Sequence, residues 1–211
     1  MNELWQSLKT HPNSGWLLPY GTPESALPKL EASRRIIWVG IGGSLLPADS
    51  LVRMLASSEQ LSRWITLASP EDLESFQLHE DDQIVFASKS GNTLELWSWL
   101  GKLLHMPTFE KLTQTPIVIT ETNQNYLHEL AKTKKWILIE MPVNIGGRYS
   151  VFSPIGYLPL TWLGKNLKAF AQGDKGFLMK LRQEKDPGST WFLPCIAYGY
   201  NNTSKEYPTG F

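Results

Sequence analysis

The stretch Arg34-Arg35-Ile36-Ile37-Trp38-Val39-Gly40-Ile41-Gly42-Gly43-Ser44 decides the fold of this chain. Its first part is a short apolar, β-branched run with no polar alternation, the pattern of a strand buried on both faces. Glycines and a serine close it, and Leu45, Leu46, Leu51, Val52, Leu55 and Ala56 then recur at helical spacing over 44–57. The unit is therefore strand, glycine turn, helix. Four more apolar strands repeat it: 64–68, 83–87, 116–120 and 136–140. The intervening helices are expected from Ser69, over 92–105 and over 123–134, with a final one over 153–170. Ser69 is a natural N-cap and Pro70 a natural first helical residue. The basic run Lys132, Lys134 and Lys135 closes the third of these helices, where cations offset the helix dipole.

Five apolar strands alternating with helices predict an α/β domain: a doubly wound, five-stranded parallel sheet flanked by helices, a flavodoxin-like three-layer sandwich. In such sheets ligands bind beyond the carboxyl ends of the strands, at the switch in strand order. The expected division is an N-terminal arm over 1–33, punctuated by Pro12, Pro19, Pro23 and Pro28, a domain over 34–170, and a tail over 171–211 that contains no complete strand–helix unit.

The totals exclude several function classes. Among 211 residues, 20 basic side chains balance 20 acidic ones, which gives no argument for a nucleic-acid or membrane-surface partner. The nine tryptophans are scattered from Trp5 to Trp191 and read as core or interface filler. Cys195 lies in an apolar aromatic run and reads as an inert buried thiol. The sequence shows neither a signal peptide nor an apolar run near the roughly 18 residues that span a bilayer, so a cytoplasmic protein is expected. His11, His79, His105 and His128 have no metal-site spacing, and no metal or cofactor is expected.

Three segments just after strands could carry chemistry. Gly40–Ser44 opens into a helix, whose unpaired N–H groups and partial positive charge favour an anion. A dinucleotide fingerprint would need glycine where Leu45 stands and an acid at the end of the second strand, where Ala68 and Ser69 stand. A purely structural turn remains the alternative. Ser88-Lys89-Ser90-Gly91-Asn92-Thr93 places three hydroxyls around a glycine where a helix begins. Such hydroxyls can donate to a phosphate, or one of them can simply cap the helix. Asn144-Ile145-Gly146-Gly147-Arg148-Tyr149-Ser150 contains an arginine after two glycines, which suits a charged oxygen ligand or the capping of carbonyls.

The string NIGGRYSVFSPIG over 144–156 resembles the glucose-6-phosphate isomerase signature built around Gly-Gly-Arg-Tyr-Ser. Gly40–Ser44 is similar to that family's Gly-Ile-Gly-Gly-Ser loop, and Ser88–Thr93 to its Ser-Lys-Thr-x-x-Thr phosphate loop. The resemblance covers about 34–170, the first sugar-isomerase (SIS) domain of a family built from two. It implies that Ser88, Ser90 and Thr93 hold the substrate phosphate, that Lys89, Gly43 and Ser44 line the pocket, and that Gly147 adds a backbone contact. Arg148 would stabilise the charge of an enediol intermediate. Ser90 stands where the family has threonine, and Gly91-Asn92 replaces bulkier residues, as in other SIS proteins. The family's proton-transferring glutamate, ring-opening histidine and active-site lysine lie in later segments and have no counterpart here.

The resemblance thus implies the phosphosugar-binding half of an isomerase of glycolysis and gluconeogenesis. The expected partners are glucose 6-phosphate or fructose 6-phosphate and either a second copy of the chain or a complementing second SIS domain; the tail would be the remnant of that link. The alternative is a stand-alone SIS module that binds a phosphosugar without turnover. A nicotinamide-dependent dehydrogenase is a distant third.

Overall fold

The computed structural model describes Gly15 and residues 27–69, 72, 76–122 and 125–172. It contains the five strands: β1 (Ile36–Val39), β2 (Trp64–Leu67), β3 (Gln83–Ala87), β4 (Ile117–Glu121) and β5 (Ile137–Met141). All pair in parallel, in the order β2-β1-β3-β4-β5. The chain therefore reverses its direction of sheet growth between β1 and β3, and the switch point opens beyond Val39 and Ala87.

Alternation along each strand divides the core in two. Trp38, Val85, Ile117, Ile119, Ile139 and Met141 face one side. There they meet helices α1 (Leu46–Leu55) and α5 (Pro154–Trp162) through Ala48, Val52, Ile155 and Leu158. Ile37, Val39, Ile84, Phe86 and Val118 face the other. They are covered by α3 (Leu94–Leu104) and α4 (Tyr126–Lys134) through Leu96, Trp99, Leu103, Leu127 and Ala131. Burial on both faces is why β1, β3 and β4 are apolar without alternation, whereas the edge strand β5 exposes Ile137 and Glu140. Trp38, Trp99 and Trp162 are fully buried, as expected of core filler. At the opposite end of the sheet, buried Asp82 accepts two bonds from Arg35, at 2.9 and 2.8 Å, and one from the His79 N–H.

The helices differ from their sequence-based ranges in two places. The run expected over 44–57 becomes a 3-10 turn (Gly42–Ser44) followed by α1, and the chain restarts in the short α2 (Ser58–Leu61). Ser57 and Gln60 form a reciprocal capping box that starts α2. The helix expected over 153–170 stops at Trp162. Gly164, at φ +66°, sits in a Schellman closure, with its N–H donating to the Thr161 carbonyl and the Lys165 N–H to that of Leu160. Helical structure resumes at 167–172, where Phe170 packs on Phe152 and Tyr157. The helix expected from Ser69 falls largely, and Cys195 wholly, outside the described residues. No helix among the described residues is long and apolar enough to cross a membrane.

Candidate ligand-binding edge

The sheet order makes Gly40–Ser44 and Ser88–Thr93 neighbours, since they leave adjacent strands at the switch point. Contact is close: a Cβ on Gly40 would lie 2.7 Å from the Ala87 carbonyl oxygen. The third segment arrives from farther away. β5 is an edge strand, three positions from β1, yet the turn Gly147–Phe152 returns to dock on the first loop. A Cβ on Gly43 would overlap the Gly147 carbonyl, so only glycine allows the two backbones to touch. The buried Ser150 hydroxyl lies 2.7 Å from both the Gly43 and the Gly147 carbonyl oxygens and donates between them. Gly15 adds an outside support, its N–H donating to the Asn144 carbonyl at 2.8 Å.

The Ser88–Thr93 loop is built differently. The Ser88 hydroxyl is buried, accepts from the Gly91 N–H at 3.1 Å and lies 2.7 Å from the Thr93 hydroxyl. Ser90 is exposed and its hydroxyl accepts from the Asn92 N–H at 3.3 Å. Gly91 has φ +66°, and a Cβ there would overlap the Asn125 amide. The indole N–H of Trp97 donates to the Gly91 carbonyl at 2.9 Å. From β4, the Glu121 N–H and the Thr120 hydroxyl donate to the Lys89 carbonyl, at 3.0 and 3.2 Å. Lys89 Nζ itself lies 2.9 Å from Glu121 Oε1.

These contacts bear on whether the hydroxyls merely cap a helix. Thr93 occupies the N-cap of α3, yet its side chain makes no capping bond and turns to Ser88 instead. The N-cap of α1, Leu45, makes none either. By contrast Asn125 caps α4 by accepting from the His128 N–H, and Ser153 caps α5 by accepting from the Ile155 N–H. The two helices that follow the switch-point strands are thus the ones whose N-cap residues offer no side-chain acceptor to the first turn. Uncapped helix starts of this kind suit an external anion.

All eight residues expected from the sequence lie on these three segments. Gly43, Ser44 and Gly147 belong to the docked turns; Ser44 is half-buried, and its carbonyl accepts from the Trp38 indole at 2.8 Å. Lys89, Ser90 and Thr93 lie on the loop with Ser88 buried beneath Thr93. Arg148 is exposed on its turn, and no carboxylate among the described residues forms an ion pair with it. Sequence reading misses the supports. Asn125 and Trp97 touch the Ser88–Thr93 loop from neighbouring helices, and only the N-cap preference of asparagine hints at either; Ser150 belongs to the third segment, but its bond to Gly43 is not legible in the sequence. Large apolar side chains are also exposed on the elements around this edge: Leu46, Leu94 and Tyr126 at helix starts, and Val143 and Tyr149 after β5.

The chain is 30% identical over 160 residues to a glucose-6-phosphate isomerase of Mycoplasmopsis pulmonis, covering 70% of this chain and 38% of that one. It is 30% identical over 154 residues to a glucose-6-phosphate isomerase of Campylobacter jejuni, covering 69% and 37% respectively. With one of Leptospira interrogans it shares 26% over 196 residues, covering 82% and 44%. The chain thus spans about two fifths of the length of the curated relatives it matches. Two solved structures share the fold. A hypothetical protein of Thermus thermophilus aligns with TM-score 0.60 and 23% identity, over 84% of this chain and 49% of that one. An E. coli protein solved as a ligand complex aligns with TM-score 0.51 and 17% identity, over 83% and 95%. No protein-family model matches the chain.

Proposed function

We propose, because the chain belongs to the glucose-6-phosphate isomerase family as a partial relative, that it binds a hexose phosphate at the carboxyl edge of β1 and β3 and needs another polypeptide surface for turnover. The phosphoryl group sits against the first turn of α3, with the Ser90 and Thr93 hydroxyls and the open N–H groups as donors. Ser88 holds the Thr93 hydroxyl in place from below. Gly43, Ser44 and Gly147 line the sugar side, where close backbone packing leaves no side chain in the way. Lys89 stands beside the phosphate.

The observation that carries this reading is the uncapped start of α3. Thr93 occupies the capping position, yet its hydroxyl bonds to Ser88 and leaves the first-turn N–H groups to a ligand. Arg148, exposed and without a carboxylate partner among the described residues, is the group that stabilises negative charge as a proton moves between C1 and C2. We assign no proton-transferring side chain among the described residues, and general acid–base catalysis needs one within hydrogen-bond reach, contributing about 10²–10⁴-fold. A second copy or a complementing SIS domain would supply it by covering the apolar side chains of Leu46, Leu94, Tyr126 and Tyr149. In this reading residues 34–170 form the binding domain, with 1–33 as an arm and 171–211 as a tail.

The test is a coupled assay of fructose 6-phosphate conversion beside a binding titration with the same sugar. Saturable binding with negligible turnover is expected from the purified chain. Normal turnover would place an acid–base group within this chain, and absence of binding would overturn the reading.

A further inference from the structure

Lys89 is the cation built into the phosphate loop, yet the structure does not leave it available. Its Nζ is 2.9 Å from Glu121 Oε1, and the two side chains are only 23% and 16% exposed, so solvent and salt screen the pair weakly. The main chain holds the same two residues together. The Glu121 N–H and the Thr120 hydroxyl both donate to the Lys89 carbonyl, which fixes the lysine to the end of β4. Arg148, at the same edge, has no such carboxylate among the described residues. Of the two cations, one is compensated and the other is not.

We propose that Glu121 sets the anion affinity of the Ser88–Thr93 loop by neutralising Lys89, so that the phosphoryl group is held by hydroxyls and N–H groups rather than by the ammonium. This rests on the phosphosugar reading above and assigns Glu121 and Lys89 as a charge-setting pair rather than as ligand contacts. The consequence is a site whose local charge is close to zero. It binds a phosphomonoester moderately, responds weakly to salt and releases it readily. A net charge of +1 or −1 at this place shifts the affinity for a dianion in opposite directions, each by about tenfold at the effective dielectric of a half-buried site.

The experiment titrates the full chain calorimetrically with inorganic phosphate and with glucose 6-phosphate, at low and at high salt. Four proteins are compared: the natural sequence, Glu121→Gln, Lys89→Met, and the double variant. The expected order is tightest for Glu121→Gln, about tenfold above the natural sequence and with a steeper salt dependence. Lys89→Met is weakest, because it leaves the carboxylate alone beside the anion. The double variant, neutral again, returns to within about threefold of the natural sequence. Two results would overturn the proposal: a double variant as weak as Lys89→Met, which would make the ammonium a direct phosphate ligand, or Glu121→Gln binding no more tightly while it unfolds at the natural temperature. Should Glu121→Gln fail to fold, the comparison of Lys89→Met with the double variant decides alone. If the natural sequence binds neither ligand, the phosphosugar reading itself fails, and the inference with it.

Discussion

The Ser88–Thr93 loop and the Gly147–Phe152 turn lie at one edge of the sheet and are held by opposite means. The loop is closed by polar side chains: Ser88 on Thr93, Lys89 on Glu121, Trp97 on the Gly91 carbonyl. The exposed Ser90 hydroxyl and the first-turn N–H groups of α3 keep hydrogen-bonding capacity for a ligand. The turn is held by main-chain packing of Gly147 on Gly43 and by one buried hydroxyl, that of Ser150. Arg148, the side chain to which we assign charge stabilisation, is left exposed on its surface. The first arrangement presets donors around a fixed point, as binding an anion requires. The second fixes a backbone and leaves a cation exposed, which suits the charge-stabilising role we propose for it. One edge thus carries a rigid half and an adaptable half.

The severest way to break this comparison is Gly43→Ala. A Cβ there meets the Gly147 carbonyl, which belongs to backbone and cannot swing aside. We expect a loss of about 2–4 kcal/mol in chemical denaturation together with loss of phosphosugar binding, because the two halves separate. Gly91→Ala attacks only the loop, through its left-handed φ and the overlap with Asn125. It should cost about 1–3 kcal/mol in the same denaturation measurement. Thr93→Ala sharpens the comparison, since it removes a donor to a charged group at little cost to the fold. Titration should show affinity for glucose 6-phosphate falling about 10–100-fold, with an unfolding temperature close to that of the natural sequence. The smallest effect belongs to Arg148→Ala. Stability should stay within about 0.5 kcal/mol and phosphosugar affinity within about threefold, because an exposed side chain on a backbone-held turn supports neither strongly. A large loss of binding in that variant would show that the turn does the work assigned to the loop.

Sequence reading reaches the central strands because burial on both faces leaves apolar runs that alternation does not blur, and it reaches the edge strand β5 through its short Trp-Ile-Leu-Ile run. It reaches the three loops because tight turns call for glycine and helix starts for hydroxyls, both conspicuous in a sequence, and the structure brings the three to one sheet edge. Pairings between distant segments are out of its reach. Lys89 and Glu121 meet because β3 and β4 are adjacent, and Gly43 and Gly147 because the chain doubles back from an edge strand. Neither follows from local pattern. The mutual bond of Ser88 and Thr93 is hidden for another reason: a hydroxyl's residue type does not say whether it meets a ligand, a backbone N–H or another hydroxyl. Gly164 is a plainer omission. It is an ordinary helix stop within a long apolar run, and the helix ends at Trp162.

The most direct measurement is the thermal unfolding of the purified chain with glucose 6-phosphate, with glucose and with NAD, repeated on Thr93→Ala. A ligand of the folded state raises apparent stability by an amount set by its concentration over its dissociation constant, about 2.7 kcal/mol at a hundredfold excess. Stabilisation by glucose 6-phosphate, absent with glucose and NAD and largely lost in Thr93→Ala, is the expected result. Equal stabilisation by glucose, stabilisation by NAD alone, or a glucose 6-phosphate effect that survives Thr93→Ala unchanged would contradict the account.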